Sequence, residues 1–445
     1  MFLQFIWGRK NMSPLAALIL IVIAIVISVI FGTKKANMGL IAFGLAYILG
    51  CYAFGLKASL LYTLFPAKVI LQFIFISYFY GILIENGTIQ WIAEKASYLA
   101  RNATFMIPII IFVLTLLLSL AGVAPISVAA AVAPLFLAIA DKMNINKLLV
   151  LLAIHTGQCA GCGSPVSGVT IVTRGIVGDT LGTDTGAMWN HFMINFIIVF
   201  GIVFVLSYIL LKGWKVNKGE MVAELHDPGA MKGQQKVCLT MAVAAMIYLI
   251  VPSLLNTFVH NPVLGYLSSK ADPGFVYLIL GVICVFMNYE EEKKLIMRRI
   301  PWPLVLTISG MAILIGLLGQ TGATDYLASM LSGSAPGVAI APALAAIGGF
   351  LSMFSDSLGA VIPLLATMIP SIIATNPELS ATLLISAACI GTMMTGFAPI
   401  SSGGSLLLSF VKEEERNKFF IYQLVTTVIM LLVTVVIFAV GIVLH

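Results

Sequence analysis

Apolar runs long enough to cross a lipid bilayer recur along the whole chain. A transmembrane helix needs about 20 mainly apolar residues, and a backbone in lipid must be helical or form a closed barrel to satisfy its hydrogen bonds. The pattern therefore predicts an all-α polytopic membrane protein. The uninterrupted candidate spans are 14–32, 38–56, 66–85, 190–212, 236–255, 272–289, 302–320 and 419–443.

Four other apolar segments are interrupted by glycine, proline and serine. Glycine and proline weaken or end helices, so two of these segments predict re-entrant hairpins and the other two predict broken transmembrane helices. An amphipathic stretch precedes each hairpin, at 87–102 and at 324–332. The hairpins are 103–141, broken at 122–127, and 336–376, broken at 355–357; the broken helices are 146–177 and 380–410.

The second half of the chain repeats this order of segments. Short stretches of the two halves align at nearly the same spacing, which indicates an internal duplication. We therefore predict an N-terminal repeat at 1–212, a cytoplasmic connection at 213–235 and a C-terminal repeat at 236–445. The aligned pairs are 85–93 with 320–328 at an offset of 235, Pro165 of 163–168 with Pro399 of 398–403 at 234, and Pro134 with Pro363 at 229.

The basic residues indicate how the segments cross the membrane. If each hairpin returns to the side it enters from, each half crosses five times, the repeats are inverted, and 18 of the 24 basic residues share one side. If the first arm of each hairpin spans fully, the division is only 15 to 9. Because basic residues collect on the cytoplasmic side, we predict hairpins, with both termini outside. The six outside residues are then Arg9, Lys10, Lys57, Lys68, Arg174 and Lys270.

Composition excludes a soluble globular protein and indicates a lipid bilayer as the surrounding medium. Hydrophobic residues make up 60% of the chain and charged residues 9%, whereas soluble domains carry about 25% charge. The net charge of +6 follows from the lysines at the membrane boundary, and no basic face suggests nucleic acid as a partner. Six cysteines are scattered through apolar segments and predict no disulfide framework.

Asp356 is a carboxylate set deep in an apolar segment. A charge at the centre of a bilayer costs about 2.5–3.5 kcal/mol on insertion scales, so such a residue indicates a functional site by default. The alternative is a polar residue that only packs two helices together. Ser355 and Ser357 flank it, and Gly359 and Pro363 follow, which is typical of a re-entrant turn.

Inverted repeats with broken helices are typical of secondary transporters, whose binding site lies near the membrane midplane where the breaks converge. A helix that begins at a break directs its amides and the positive end of its dipole into the cavity, which suits an oxyanion. The predicted substrate-binding residues are Pro125, Ser127, Ser164, Pro165, Ser167, Ser355, Ser357, Thr395, Pro399, Ser401 and Ser402.

A coupling ion is predicted beside the substrate. Freed backbone carbonyls together with a carboxylate suit a hard cation such as Na⁺, and Asp356 could instead carry a proton. The predicted coupling-ion residues are Asp356 and the backbone at Gly161, Gly163 and Gly396.

His155, Cys159 and Cys162 have a spacing that could suggest a metal site. A fourth ligand is missing from the pattern, so we interpret the cysteines as small core residues and predict no metal. His155 is interpreted as a hydrogen-bonded core residue, with a proton relay as the alternative. Nucleophile elbows, phosphate-binding loops and paired catalytic carboxylates are not evident in the sequence, which therefore indicates no enzyme.

The motifs at the breaks resemble those of the ion transporter superfamily, which contains divalent-anion/Na⁺ symporters. The resemblance is greatest to bacterial dicarboxylate carriers of the malonate type, over about 66–212 and 300–443. That family carries Ser-Asn-Thr at each hairpin tip, followed by a helix break rich in glycine and proline. Here Ser355-Asp356-Ser357 stands at the second tip, 396–404 and 162–168 fit the breaks, and Ala124–Ser127 departs from the first tip.

The resemblance implies an elevator-type mechanism, a homodimer and a small di- or tricarboxylate substrate, and the departure at the first tip leaves the usual two-sodium stoichiometry open. Our leading hypothesis is a carrier in a bacterial inner membrane that couples Na⁺ or H⁺ to movement of a malonate- or succinate-like dicarboxylate, with no cofactor. One alternative is a Na⁺/H⁺ antiporter that uses Asp356. Another is a membrane-embedded enzyme or export subunit, for which the sequence shows neither a catalytic dyad nor a docking domain.

Overall fold

The structure is a computed structural model that describes residues 12–32, 36–99, 104–143, 145–181, 186–215, 227–259, 261–334, 337–353 and 355–445. Throughout these ranges the chain forms helices and connecting turns, without a β-strand. Nine of the helices in the described ranges are long and apolar enough to cross a membrane. The predicted all-α polytopic architecture is therefore confirmed.

The helices of the N-terminal half follow the predicted segments closely. A π-helical turn at Ile48–Ala53 continues α2, and a 3₁₀ turn at Gly161–Gly163 follows α8. They are α1 (Pro14–Gly32), α2 (Met38–Tyr47), α3 (Ala58–Thr63), α4 (Ala67–Glu85), α5 (Thr88–Leu99), α6 (Ile107–Leu120), α7 (Pro125–Met143), α8 (Lys147–Ala160), α9 (Gly168–Leu181) and α10 (Gly186–Leu210).

The C-terminal half contains a corresponding series of helices. A π-helical turn at Ser357–Val361 leads into α18, and a 3₁₀ turn at Thr395–Phe397 follows α19. They are α11 (Gly233–Val259), α12 (Pro262–Lys270), α13 (Pro273–Phe286), α14 (Glu292–Arg298), α15 (Trp302–Gln320), α16 (Ala323–Ser334), α17 (Gly337–Ser352), α18 (Ile362–Thr375), α19 (Ala381–Met394), α20 (Ser402–Ser409) and α21 (Glu413–Val440).

Polar caps and glycines fix the two broken helices in the same way in each half. Asn146 and Ser380 cap α8 and α19 through hydrogen bonds from Leu148 N (3.0 Å) and Leu383 N (3.4 Å), which satisfies amides that the helix itself cannot pair. The caps lie 234 residues apart, the offset that the sequence alignment predicts for 163–168. The inverted relation of the two halves stays a prediction.

The first arm of each hairpin packs directly on the first part of the broken helix that follows. Helix α6 lies against α8, and α17 lies against α19. A Cβ atom on Gly157 would lie 2.1 Å from Thr115 Oγ1, and one on Gly391 would lie 2.3 Å from the Ala345 carbonyl oxygen. Small residues are therefore needed here because the backbones approach more closely than a methyl group allows.

Ion pairs join helix ends that are distant in the chain. Glu85 at the end of α4 pairs with Lys294 (2.6 Å) and Arg299 (2.5 Å). The hydrogen bonds from Lys294 to Glu85 and Glu290 raise the pKa of the lysine ammonium group. A second network joins α7, α8 and α21: Lys147 contacts Asp141 and Glu415, and Lys412 lies 3.2 Å from Asp141.

Several sequence predictions concern residues outside the described ranges. These include residues 216–226 of the predicted connection 213–235 and the basic residues Arg9, Lys10, Lys34, Lys35, Arg101 and Lys218.

Candidate functional site

A cavity of about 300 Å³ lies where both hairpin tips and both broken helices meet. Its size is at the lower end of the range for small-molecule sites, about 300–1,000 Å³. Of the described residues that line it, Asp356 is the only acidic one, and lysine and arginine are absent. Seven of the predicted site residues line the cavity: Pro125, Ser127, Asp356, Ser357, Gly396, Ser401 and Ser402.

Four helical segments begin at the wall of this cavity. Pro125 is the first residue of α7, Gly168 of α9 and Ser402 of α20. Ser357 begins the π-helical turn that leads into α18. Since the first amides of a helix have no partner within it and its dipole is positive at that end, the wall favours a negatively charged group.

Asp356 caps the last of these helical segments. Its Oδ1 accepts a hydrogen bond from Gly359 N at 2.6 Å, and its Oδ2 accepts one from the Ser402 hydroxyl at 3.3 Å. The carboxylate thus links the second hairpin tip to the start of α20. The corresponding helix of the first hairpin, α7, follows Ala124, which has no carboxylate.

Two serines shape the breaks in both broken helices. Ser167 Oγ accepts from Thr170 N at 3.3 Å and donates to the Cys162 carbonyl. Ser401 Oγ accepts from Gly404 N at 3.1 Å and donates to the Gly396 carbonyl at 2.6 Å. All three residues of each set are related by 234 positions, so the same hydrogen-bonding pattern recurs in both halves.

The other predicted site residues do not line the cavity. Ser164 donates to the Leu120 carbonyl at 2.7 Å, and Thr395 donates to the Gly349 carbonyl at 2.7 Å, so both hydroxyls hold a hairpin arm against a broken helix. Pro165 borders a different cavity. Outside both cavities lie Ser167, Ser355, Pro399, Gly161 and Gly163.

The two glycines of the first break serve close packing. A Cβ atom on Gly161 would lie 2.5 Å from Ser119 Cβ, and one on Gly163 would lie 2.7 Å from Met193 Cα. Gly396 differs, because its Cβ would meet His155 Cε1 and Ser357 Oγ only at an ordinary distance of 3.6 Å.

One face of α8 supplies lining residues that the prediction of substrate contacts did not include. His155, Gln158, Cys159 and Cys162 all line the cavity, and their spacing of three and four residues puts them on one side of a helix. His155 Nε2 lies 3.2 Å from the Met394 carbonyl oxygen. The helical spacing of these residues is the signal in the sequence that could have identified them as lining residues.

Gln158 is a buried amide that faces the cavity with one polar atom unsatisfied. The residue is 4% exposed, and its Oε1 has no hydrogen-bond partner within the described ranges. A buried polar atom without a partner costs about 1–3 kcal/mol. The arrangement indicates a polar ligand or water at this point in the cavity.

Two tyrosines hold the first hairpin tip from outside the hairpin. Tyr277 donates to the Ala121 carbonyl at 2.8 Å, Tyr80 donates to the same oxygen, and the two hydroxyls lie 2.9 Å apart. Gly122, at φ +107°, turns the chain next to Val166. The carbonyls that end α6 are therefore engaged by protein groups.

The part of the chain that the structure describes contains no cluster of metal-ligating side chains. No three histidine, cysteine, aspartate or glutamate side chains come together there. Cys159 Sγ lies 3.9 Å from both ring nitrogens of His155, which is a loose contact.

Comparisons with known proteins agree with the predicted resemblance. Residues 12–162 match the family model described as the N-terminus of the dicarboxylate carrier protein MatC. Uncharacterized transporters of Mycobacterium tuberculosis and Mycobacterium bovis are each 23% identical over 306 residues, which cover 65% of this chain and 64% of each relative. The match thus spans less than two thirds of the relatives' length.

A solved structure has a similar fold over nearly the whole chain. The crystal structure of the YdaH transporter of Alcanivorax borkumensis, described as having an unusual topology, matches with a TM-score of 0.51 and 17% identity. The match covers 94% of this chain and 98% of that chain. At this identity the likeness concerns the fold alone. The family match confirms the predicted resemblance to dicarboxylate carriers, and the solved structure agrees with the fold.

Proposed function

We propose that the protein is a secondary active transporter that couples movement of Na⁺ or H⁺ to that of a small dicarboxylate. The substrate resembles malonate or succinate, the protein is a homodimer in a bacterial inner membrane, and the site moves by an elevator-type mechanism. The family match at 12–162 and the fold support a carrier without enzymatic activity. The convergence of four helix starts on one cavity carries the proposal about the substrate.

The charge of the cavity explains why a carboxylate and a cation would enter together. Helix amides and the hydroxyls of Ser127 and Ser357 can donate to carboxylate oxygens, but no basic residue among the described lining residues neutralises two negative charges. Asp356 adds a further negative charge. A cation or proton beside Asp356 offsets this repulsion, so that anion binding and cation binding stabilise each other.

Uptake into proteoliposomes tests the proposal directly. Purified protein is reconstituted, and the uptake of labelled malonate, succinate and citrate is measured while the pH gradient and the Na⁺ gradient are varied independently. We expect uptake of at least one dicarboxylate that depends on one of the two gradients. Indifference to all three carboxylates contradicts the proposal.

The same preparation separates the antiporter alternative, which the single carboxylate of the cavity favours. A Na⁺/H⁺ antiporter would release protons from the liposomes when Na⁺ is added without any organic substrate. A carrier of the proposed kind moves protons or Na⁺ only when dicarboxylate is present.

A further inference from the structure

A second, larger cavity lies beside the candidate site. Its volume is about 760 Å³, and it is bordered by the start of α4, the α9 helix, the start of α10, the end of α11 and the turn between α12 and α13. We call it the outer vestibule. Val166 and Ile171 line both cavities, so the vestibule and the central cavity share a wall that includes these two apolar side chains.

Three basic side chains border the outer vestibule and are exposed: Lys68, Arg174 and Lys270. Asp272 is the acidic residue among the described lining residues. It caps α13 through Phe275 N at 3.1 Å and accepts a hydrogen bond from Gln72 Nε2 at 3.0 Å. The described lining therefore has three basic residues and one acidic residue, and Lys68 with Lys270 gives an excess of positive charge over Asp272 whatever contact Arg174 makes within the protein.

Basic residues are rare on the predicted outer side of the membrane, yet several of them lie together at this cavity. The hairpin topology leaves only six of the 24 basic residues outside, and three of those six border this one cavity. The central cavity has none among its described lining residues, which fits the cost of placing lysine or arginine at mid-bilayer, about 2.5–3.5 kcal/mol. Positive charge is thus placed beside the site, where water can solvate it.

We propose that the outer vestibule collects the dianionic substrate from the outside and presents it to the central cavity. A cleft lined by one sign of charge raises the local concentration of an oppositely charged ligand and its association rate by roughly 10–10³. The vestibule binds the carboxylates loosely, because Lys68 and Lys270 are exposed to solvent. This inference rests on the proposed function, since it requires a dicarboxylate as substrate.

Uptake kinetics at different ionic strengths test the vestibule. Ionic strength is raised with choline chloride at fixed Na⁺ and fixed pH, because the Debye length falls from about 10 Å at 0.1 M to about 3 Å at 1 M. For the wild type we expect kcat/KM for succinate to fall several-fold. The variant with Lys68→Gln, Arg174→Gln and Lys270→Gln should have a kcat/KM roughly ten-fold lower at low salt, an unchanged kcat and little dependence on salt.

Lys57→Gln is the matched control, since Lys57 is another exposed basic residue predicted outside and does not border the vestibule. It should leave both kcat/KM and its salt dependence as in the wild type. The proposal for the vestibule is overturned if Lys57→Gln and the triple variant change kcat/KM equally. It is also overturned if the triple variant has wild-type kinetics. A wild type that transports no dicarboxylate instead overturns the proposed function.

A single-site experiment avoids any folding defect of the triple variant. In whole cells, Lys270→Cys is treated with membrane-impermeant thiol reagents of the same size and opposite charge. We expect the positively charged adduct to restore succinate uptake at low concentration and the negatively charged adduct to reduce it several-fold. The native cysteines are buried or half-buried, and wild-type cells treated in the same way control for them. Equal uptake with both adducts, or no reaction from outside, overturns the proposal.

Discussion

Asp356 is the residue on which coupling depends in the proposed mechanism. Its carboxylate lies between Gly359 N and Ser402 Oγ at the wall of the cavity, where a cation or a proton would neutralise it. We expect Asp356→Asn to abolish proton-driven uptake, or to weaken the Na⁺ dependence of uptake if Na⁺ is the driver. The asparagine side chain can still accept the bond from Gly359 N, so the cap and the fold should persist.

Asp325→Asn is the matched control for this experiment. Asp325 also lies at a helix start and accepts a hydrogen bond from Ser371 at 2.6 Å, but it does not line the cavity. Uptake is measured for both variants over a series of Na⁺ concentrations and pH values. Normal coupled uptake by Asp356→Asn would return Asp356 to the alternative role of packing two helices.

Gln158 provides a second prediction at the level of one residue. Replacing it with leucine removes a buried amide whose Oε1 has no partner in the described chain, so stability should stay the same or increase. The substrate carboxylate loses the hydrogen bond that the Gln158 Nε2 amide can donate; a bond to a charged group is worth about 1.5–3 kcal/mol, so KM should rise roughly ten-fold or more. Thermal unfolding of Gln158→Leu checks the predicted stability, and uptake kinetics check the predicted rise in KM. A large loss of stability with an unchanged KM would contradict it.

Sequence reasoning at this scale identified the residues whose chemistry is unusual for their surroundings. A carboxylate in an apolar run identifies Asp356, because burial of its charge is costly wherever the chain folds. Ser164 and Ser167 were predicted as substrate contacts, but hydroxyls at a helix break can equally bond to freed backbone carbonyls, as both do here. Only the three-dimensional arrangement separates the two uses.

At the scale of helices, a glycine of α19 and a glycine of the turn after it have different roles: one allows close packing and the other borders the cavity. A Cβ atom on Gly391 would lie 2.3 Å from a backbone oxygen of α17, whereas one on Gly396 would project between His155 and Ser357 at 3.6 Å from each. We expect Gly391→Ala to destabilise the fold by about 1–3 kcal/mol, as overpacking does. Gly396→Ala should fold normally and reduce dicarboxylate uptake several-fold, because its methyl group narrows the cavity.

Yield of monodisperse protein and thermal unfolding measure the loss of stability expected for Gly391→Ala. Uptake per folded protein measures the loss of transport expected for Gly396→Ala. If both variants lose stability equally, the distinction drawn between packing and cavity glycines is wrong.

The broken helices show how much of the local fold the sequence specifies. Composition predicted a break in each, and the 234-residue offset predicted that the breaks correspond. The structure has the same cap, 3₁₀ turn and serine bonds at both positions. Sequence did not indicate which break would line the cavity, because that depends on how the helices cross. Both breaks contribute, at Cys162 and Gly168 in the first half and at Gly396 and Ser401 in the second, and in the first half the helix face containing His155 and Gln158 lines the cavity as well.

For the whole molecule, contacts between distant helix ends bear on the choice between hairpins and full spans. If the first arm of each hairpin crossed the membrane completely, Glu85 and Lys294 would lie on opposite sides, as would Lys147 and Lys412. In the structure Glu85 and Lys294 are 2.6 Å apart, and Lys147 and Lys412 both contact Asp141. The hairpin topology, in contrast, places both members of each pair on the cytoplasmic side.

Chemical labelling of two lysine positions tests this topology in cells. The hairpin topology places residue 57 outside and residue 232 in the cytoplasm. If the first arm of the hairpin spans the membrane instead, both residues lie on the same side. Both lysines are exposed, so Lys57→Cys and Lys232→Cys should leave the fold unchanged. We expect a membrane-impermeant maleimide to label Lys57→Cys in intact cells and Lys232→Cys only after the membrane is opened.

The combination of results distinguishes every arrangement. Labelling of both variants in intact cells, or of neither, would mean an even number of crossings between residues 57 and 232, so one arm of the first hairpin would span alone and the two halves would not be inverted. Labelling of Lys232→Cys alone would keep the hairpin and reverse the orientation, contrary to the distribution of basic residues. The outer vestibule would then face the cytoplasm, and the proposal that it collects substrate from the outside would be overturned. Because the lining of the vestibule and the wall that it shares with the central cavity are the same in either orientation, the labelling of these two positions alone decides whether the vestibule can supply the site from the outside.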